Sequence, residues 1–298
     1  MTLDVRVPTL AQIREALGMV DARPRKRFGQ HFLTDPHLLQ SIAAAADVGP
    51  GDRVLEVGPG PGALTATLLA RGARVLAVDV DRAMLGVLAR LVGEVPTLTT
   101  LELDVLERGR LHPRLLEALA GFADDGRFKL VSNLPYNVAS PLLIELWKHR
   151  PPTVGSVLVQ REVGERIVAP PGGADVGVLS VQLQWRAETA LVRKVAAGAF
   201  WPPPRVESVV VKLITRPQPA YGSDDPMPAE ALLKTAFQHR RKTLANALKD
   251  ALPSDASERA RALAVISEEF GGNQRRPEAL APMEWVSLAR RLRASTAS

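Results

Sequence analysis

The chain has 298 residues, 46% of them hydrophobic, with 38 Lys and Arg against 32 Asp and Glu, a net charge of +6 and a pI near 10.0. That length allows one large domain and a smaller one with an ample core, and the basic balance favours a polyanionic partner. The absence of cysteine excludes disulfides, thiolate metal sites and cysteine nucleophiles together, and the five His residues show no metal-ligand spacing, so no metal is expected. No apolar run is long enough to span a membrane. The first residues lack a signal-peptide core, and Asp4, Glu15 and Asp21 argue against a transit peptide, so a soluble cytoplasmic protein is the expectation.

Residues 1–22 read as a short helix, with Pro8-Thr9 near its start and Leu10, Ile13 and Leu17 at helical spacing. The stretch from Arg23 to Leu33 follows, where Arg25, Lys26 and Arg27 stand beside Phe28 and Phe32. Cations next to aromatics and a glycine suit RNA phosphates and bases, although the same residues describe a solvated basic loop. Thr34-Asp35-Pro36 reads as a cap with proline in the first turn of an Ala-rich helix running to about Asp47.

Val54 to Thr65 reads as a strand, a glycine-rich turn and a helix start. Gly58 and Gly60 let the backbone turn tightly and approach a ligand without a Cβ in the way. Val75 to Asp79 is a second strand, ending in a carboxylate placed to bind the two hydroxyls of a ribose. Asp81 is assigned instead to the N-cap of the next helix. A third strand, roughly Leu98 to Leu103, ends at Asp104, which can accept from an adenine amino group. The spacing Gly58-x-Gly60-x-Gly62 departs from the dinucleotide fingerprint and fits an adenosyl cofactor better, and no Walker lysine and serine accompany it.

The fourth strand, Phe128 to Val131, runs into Ser132-Asn133-Leu134-Pro135-Tyr136. The side-chain carbonyl of Asn133 and the main-chain carbonyl of Leu134 are acceptors for an amine. Pro135 biases Leu134 to an extended backbone, and Tyr136 offers a face on which a base can stack. An ordinary strand-ending turn uses the same residue types. Further strands are expected at Gly155–Gln160, Leu179–Trp185 and Arg205–Leu213. Phe200, opening the rigid Phe200-Trp201-Pro202-Pro203-Pro204 loop, is either a second stacking face for the base or a packing anchor.

Prolines and aspartates mark 216–229 as a linker, dividing a first domain over 1–215 from a helical one over 230–298. In the latter, Leu233, Phe237, Leu244 and Leu248 recur on one face. Arg240, Arg241 and Lys242 between them suit RNA phosphates or are a solvated face. A last helix passes through Trp285 and Leu288.

Five blocks in order resemble the small-subunit (16S) ribosomal RNA adenine N6,N6-dimethyltransferase family over nearly the whole chain. They are Lys26–Leu33, Leu55–Thr65, Asn133–Asn137, Phe200 with Pro202–Ser208, and Phe237–Leu244. The resemblance implies an α/β fold, a Rossmann-like, seven-stranded methyltransferase domain that uses S-adenosyl-L-methionine, with a small all-helical C-terminal domain. It implies cofactor contacts at His31, Leu33, Gly58, Asp79, Asp104 and Asn133. His31 stands where the family more often has Asn, and Asp79 where it more often has Glu. The implied substrate is a pair of adjacent adenines in a hairpin loop near the 3′ end of 16S rRNA, each dimethylated on its exocyclic amine. The implied partner is a small ribosomal subunit precursor met by a monomer. A 23S rRNA adenine methyltransferase of the resistance type, a DNA adenine methyltransferase and an assembly factor with methylation secondary are the competing readings.

Overall fold

Short runs of Val, Leu and Ala form the central strands, because such side chains fill positions buried on both faces of a sheet. The computed structural model describes residues 5–20, 24, 30–123, 125–219, 221 and 227–296. Its strands are β1 (Phe32–Leu33), β2 (Arg53–Val57), β3 (Arg74–Asp79), β4 (Leu98–Glu102), β5 (Leu106–Glu107), β6 (Arg110–Leu111), β7 (Lys129–Asn133), β8 (Val154–Gln160), β9 (Ala187–Val195), β10 (Phe200–Trp201) and β11 (Ser208–Thr215). Seven of them make one sheet in the order β4-β3-β2-β7-β8-β11-β9. β4, β3, β2, β7 and β8 are parallel, and β11 lies antiparallel to β8. From β2 the chain passes to β3 on one side and later to β7 on the other. The carboxyl ends of β2 and β7 therefore flank the switch point at which α/β sheets bind ligands.

The helices are α1 (Leu10–Met19), α2 (Pro36–Ala45), α3 (Ala63–Ala70), α4 (Arg82–Val92), α5 (Pro113–Phe122), α6 (Ala139–His149), α7 (Arg161–Val168), α8 (Val178–Gln184), α9 (Met227–Gln238), α10 (Leu244–Ala247), α11 (Ala256–Ala264) and α12 (Pro282–Thr296). Local chemistry sets several of their starts. Thr9 and Gln12 form a reciprocal capping box on α1, and Asp35 caps α2 with Pro36 in its first turn. Asp81 caps α4, as assigned from the sequence. No helix among the described residues is long and apolar enough to cross a membrane.

The chain divides into two compact units, 1–164 with 189–215 and 165–188 with 216–298. The first holds the sheet and a core that includes Leu39, Ile42, Val54, Leu68, Val75, Val131 and Val210. The second is built on Leu233, Leu244, Leu248, Ile266, Trp285 and Leu288.

Two expectations are corrected here. Leu179–Trp185 is the helix α8 followed by a buried Trp, and the strand comes later, at β9. The alternation Leu179-Ser180-Val181-Gln182-Leu183 has a strand's period of two, but residues 179–183 are all buried, Ser180 and Gln182 included. A helix buried all round carries no polar face, so its sequence period is uninformative. β9 is an edge strand exposed through most of its length, which removes its alternation too. The second correction is to the single break at 216–229. Residues 165–188 fold with the helical unit, where Val181 and Trp185 enter its core and Arg186 pairs with Glu230 at 2.8 Å, both side chains buried.

Candidate active site

The glycine turn after β2 is built for close approach. Gly58 has φ +71°, and a Cβ on it would meet Cγ of Pro135 at 2.8 Å. Gly60 has φ +52°, and its Cβ would press on the Phe32 ring at 3.1 Å. Both positions favour glycine on backbone and steric grounds alike. The amide of Gly58 donates to the Val78 carbonyl at 2.8 Å, and the Ser132 hydroxyl donates to the Val57 carbonyl at 2.5 Å. The turn is thereby held against both β3 and the end of β7.

Carboxylates stand at the ends of neighbouring strands. Asp79 is 9% exposed, and its Oδ1 accepts from the Asp81 amide at 2.9 Å. Burial pushes its carboxyl up to about 6, with the Asp81 charge adding to the rise and main-chain donors at Asp81, Gly60 and Val80 opposing it. Asp81 is occupied by its cap, accepting from the Ala83 amide at 3.1 Å, and by Gln30 Nε2 at 3.1 Å. Asp104 is exposed beyond β4, with Oδ1 accepting from the Leu106 amide at 3.1 Å.

Glu56, on β2, is a pocket residue that the sequence reading passed over. It is 1% exposed and accepts a 2.7 Å hydrogen bond from the Thr65 hydroxyl. Burial pushes its carboxyl from 4.5 up to about 8, so it is protonated at pH 7; the Thr65 bond works against that rise and Asp79 adds to it. The unfolded chain releases this proton near 4.5 and the folded chain keeps it to about 8, so its contribution to stability is full below 4.5 and is lost as pH rises through that window. Glu56→Gln removes the titration. Its melting temperature is expected to gain on the wild type between pH 5 and pH 8, and parallel calorimetric profiles would refute a buried neutral Glu56.

At the end of β7 the Asn133 amide nitrogen donates to the His31 carbonyl at 3.0 Å. That bond orients the side chain and leaves Oδ1 as the free acceptor. Leu134, 1% exposed, donates its amide to Leu158 at 3.1 Å, and the Pro135 carbonyl accepts from Val138 and Ala139 where α6 begins. The Tyr136 hydroxyl bonds Ser208 Oγ at 3.0 Å, and burial raises its pKa while the Ser208 bond opposes the rise.

His31, Leu33, Gly58, Gly60, Asp79, Asp104, Asn133, Leu134, Pro135 and Tyr136 all line one cleft. Val80, Leu103 and Val105 add apolar wall that was not foreseen. Val80 directly follows Asp79, and Leu103 and Val105 bracket Asp104, so adjacency to the strand-end acids was the available signal. Phe200 is a correction. It is 4% exposed, lies opposite Leu33 in the β1–β10 pair and belongs to the hydrophobic core, so it is a packing anchor and not a wall of the cleft. Arg25, Lys26 and Arg27 lie outside the described residues. Arg240, Arg241 and Lys242 are exposed in the turn that follows α9, not on a helix face, and Arg240 Nη2 donates to the Ala174 carbonyl at 2.7 Å.

The cleft fits S-adenosyl-L-methionine. Glycines without side chains border it, a buried acid closes β3, and apolar residues flank Asp104. Sheet order and cleft together define an S-adenosylmethionine-dependent methyltransferase with a Rossmann-like fold.

The family model for ribosomal RNA adenine dimethylase matches residues 22–273, and the chain belongs to that family. It is 43% identical over 280 residues to ribosomal RNA small subunit methyltransferase A of Anaeromyxobacter sp. (strain K), covering 94% of this chain and 97% of the relative. Its identity to the protein of that name from Moorella thermoacetica is 39% over 288 residues, covering 95% and 96%. Among solved structures, a dimethyladenosine transferase from Plasmodium falciparum is similar with a TM-score of 0.73 and 26% identity, covering 89% of this chain and 98% of that one. The 23S rRNA methyltransferase ErmE shares the fold, with a TM-score of 0.62 and 23% identity over 88% and 99% of the two chains. The activity is that of an rRNA adenine dimethyltransferase.

Proposed function

We propose that the chain dimethylates the exocyclic amines of two adjacent adenines in the 3′-terminal hairpin loop of 16S rRNA. The reaction takes place on a small ribosomal subunit precursor in the cytoplasm, with the enzyme as a monomer. The observation that carries the choice of subunit is the 43% identity, over 94% of this chain, with a relative named for the small subunit.

An adenine amine is a weak nucleophile because its lone pair is delocalised into the ring. When bound, the cofactor supplies a methyl group on a positively charged sulfur. Asn133 Oδ1 and the Leu134 carbonyl accept from the amine, favour a pyramidal nitrogen and aim its lone pair; catalysis then rests on positioning and fixed dipoles. The hydrogen bond from Asn133 to His31 sets this orientation before the substrate arrives. Asp79 holds the ribose hydroxyls, Asp104 the adenine amine of the cofactor, and Tyr136 stacks on the target base. His31 and Leu33 close the cofactor side.

The test incubates the protein with labelled S-adenosylmethionine and small-subunit particles, large-subunit RNA or DNA, then maps the methylated base. Label at the adjacent adenines of the 16S hairpin is expected. Label confined to large-subunit RNA or DNA would reject the proposal.

The basic turn after α9 supplies charge for RNA phosphates. Arg241 and Lys242 are both exposed, whereas Arg240 is held by Ala174. Replacing Arg241 and Lys242 with Ala is expected to weaken binding to RNA of any sequence and to flatten the log–log salt dependence by up to about two units. An unaltered slope in filter-binding titrations would assign these cations to solvation alone.

A further inference from the structure

Tyr136 does not stand alone in the cleft. The His31 ring lies against it, with centroids 5.8 Å apart and planes 27° from parallel. His31 is fixed twice over. Its Nδ1–H donates to the Pro202 carbonyl at 2.8 Å, and its own carbonyl receives the Asn133 amide at 3.0 Å. The strand pair beside it, with Phe32 opposite Trp201 and Leu33 opposite Phe200, holds the proline loop in place. Tyr136 is pinned at its far end by Ser208, fully buried where that loop enters β11.

A base inserted between two rings needs roughly 7 Å, two contacts of about 3.5 Å each. The 5.8 Å separation is too small for that. We propose that His31 is a positioning residue that backs one face of Tyr136, so that the target adenine stacks on the opposite face of the Tyr136 ring. This rests on the reading that Tyr136 stacks the base. The side chain of His31 would then set the plane of the target amine, while Asn133 and Leu134 set its direction. Backing one ring with another limits the tilt of Tyr136, and Ser208 limits its rotation. The substrate-side geometry is thereby tied to the segment that borders the cofactor.

The test uses an RNA hairpin of the target sequence with 2-aminopurine in place of the first adenine, at saturating cofactor. Stacking quenches the fluorescence of 2-aminopurine, so the signal reports the base without requiring chemistry. Full quenching by the wild type and its loss in Tyr136→Ala are expected. His31→Ala is expected to bind this RNA about two- to twelve-fold more weakly, the range an aromatic pair contributes, with partial quenching. His31→Phe, which keeps a ring and loses the Pro202 bond, should recover most of it; His31→Asn should not. Melting temperature measured on each variant identifies any that fail to fold, and the Phe and Asn variants decide the matter if Ala does so. Quenching by His31→Ala equal to the wild type, with Tyr136→Ala impaired, would overturn the backing role and leave the stacking reading intact. Unchanged quenching in Tyr136→Ala would overturn both.

Discussion

Asn133→Ala is expected to lower the single-turnover rate of methyl transfer by about two to three powers of ten, the size of effect seen when one preorganised polar group is removed from a reacting centre. The side chain serves twice. Its Nδ2 holds the His31 carbonyl at 3.0 Å, and its Oδ1 is the acceptor offered to the amine. Cofactor affinity should therefore fall together with the rate, because the segment at His31 that borders the cofactor loses its tether. Asn133→Asp separates the two roles. It keeps an acceptor and loses the donor to His31, leaving a carboxylate facing a carbonyl. A rate for Asn133→Ala within a few-fold of wild type, measured by rapid quench with RNA and cofactor saturating, would remove Asn133 from the chemistry.

Asp79→Ala is expected to weaken S-adenosylmethionine by about one to two powers of ten, the loss of a charged acceptor worth about 1.5–3 kcal/mol. Asp79→Asn keeps the shape and an acceptor for the Asp81 amide, so it isolates the charge from the local fold. The raised pKa adds a pH signature. With its carboxyl at about 6 before the cofactor binds, Asp79 is protonated below that pH and ionised above it. Ribose hydroxyls donate better to the ionised form, so binding releases a proton at low pH and affinity should fall as pH drops below about 6. The Asn variant should be flat over the same range. Calorimetry showing identical pH profiles for wild type and Asp79→Asn would move the ribose contact elsewhere, and unchanged affinity in Asp79→Ala would do so at any pH.

Much of the cleft was readable because its determinants are local. Buried parallel strands are short apolar runs, and in a parallel sheet their carboxyl ends share one edge. A residue that ends such a run is therefore placed at the cleft by its position alone, which is how Gly58, Asp79, Asp104 and Asn133 were found. Helix caps were readable for the same reason: Asp35 before Pro36, and Asp81 three residues before Met84, act within one turn. Glu56 was missed because nothing in a strand pattern separates a protonated, hydrogen-bonded acid from an ionised one; only its 1% exposure does.

What tertiary structure decided were contacts between distant segments. Tyr136 with Ser208 spans 72 residues, Asn133 with His31 spans 102, and His31 with Pro202 spans 171. No periodicity encodes them, since each depends on which loops the sheet order brings together. Phe200 shows the consequence: an aromatic beside prolines suits a base or a core equally well by type, and its pairing opposite Leu33 settled the outcome. The α8 segment is the same case at the scale of an element. Its alternation favoured a strand, but burial on every side within the helical unit fixed a helix, because the free energy of packing that many residues outweighs a local preference of a few tenths of a kcal/mol to about 1 kcal/mol per residue. Sequence alone thus determined the strand ends, the caps and the chemistry placed on one edge; the partners of those groups were set by long-range packing, where burial is the larger energy.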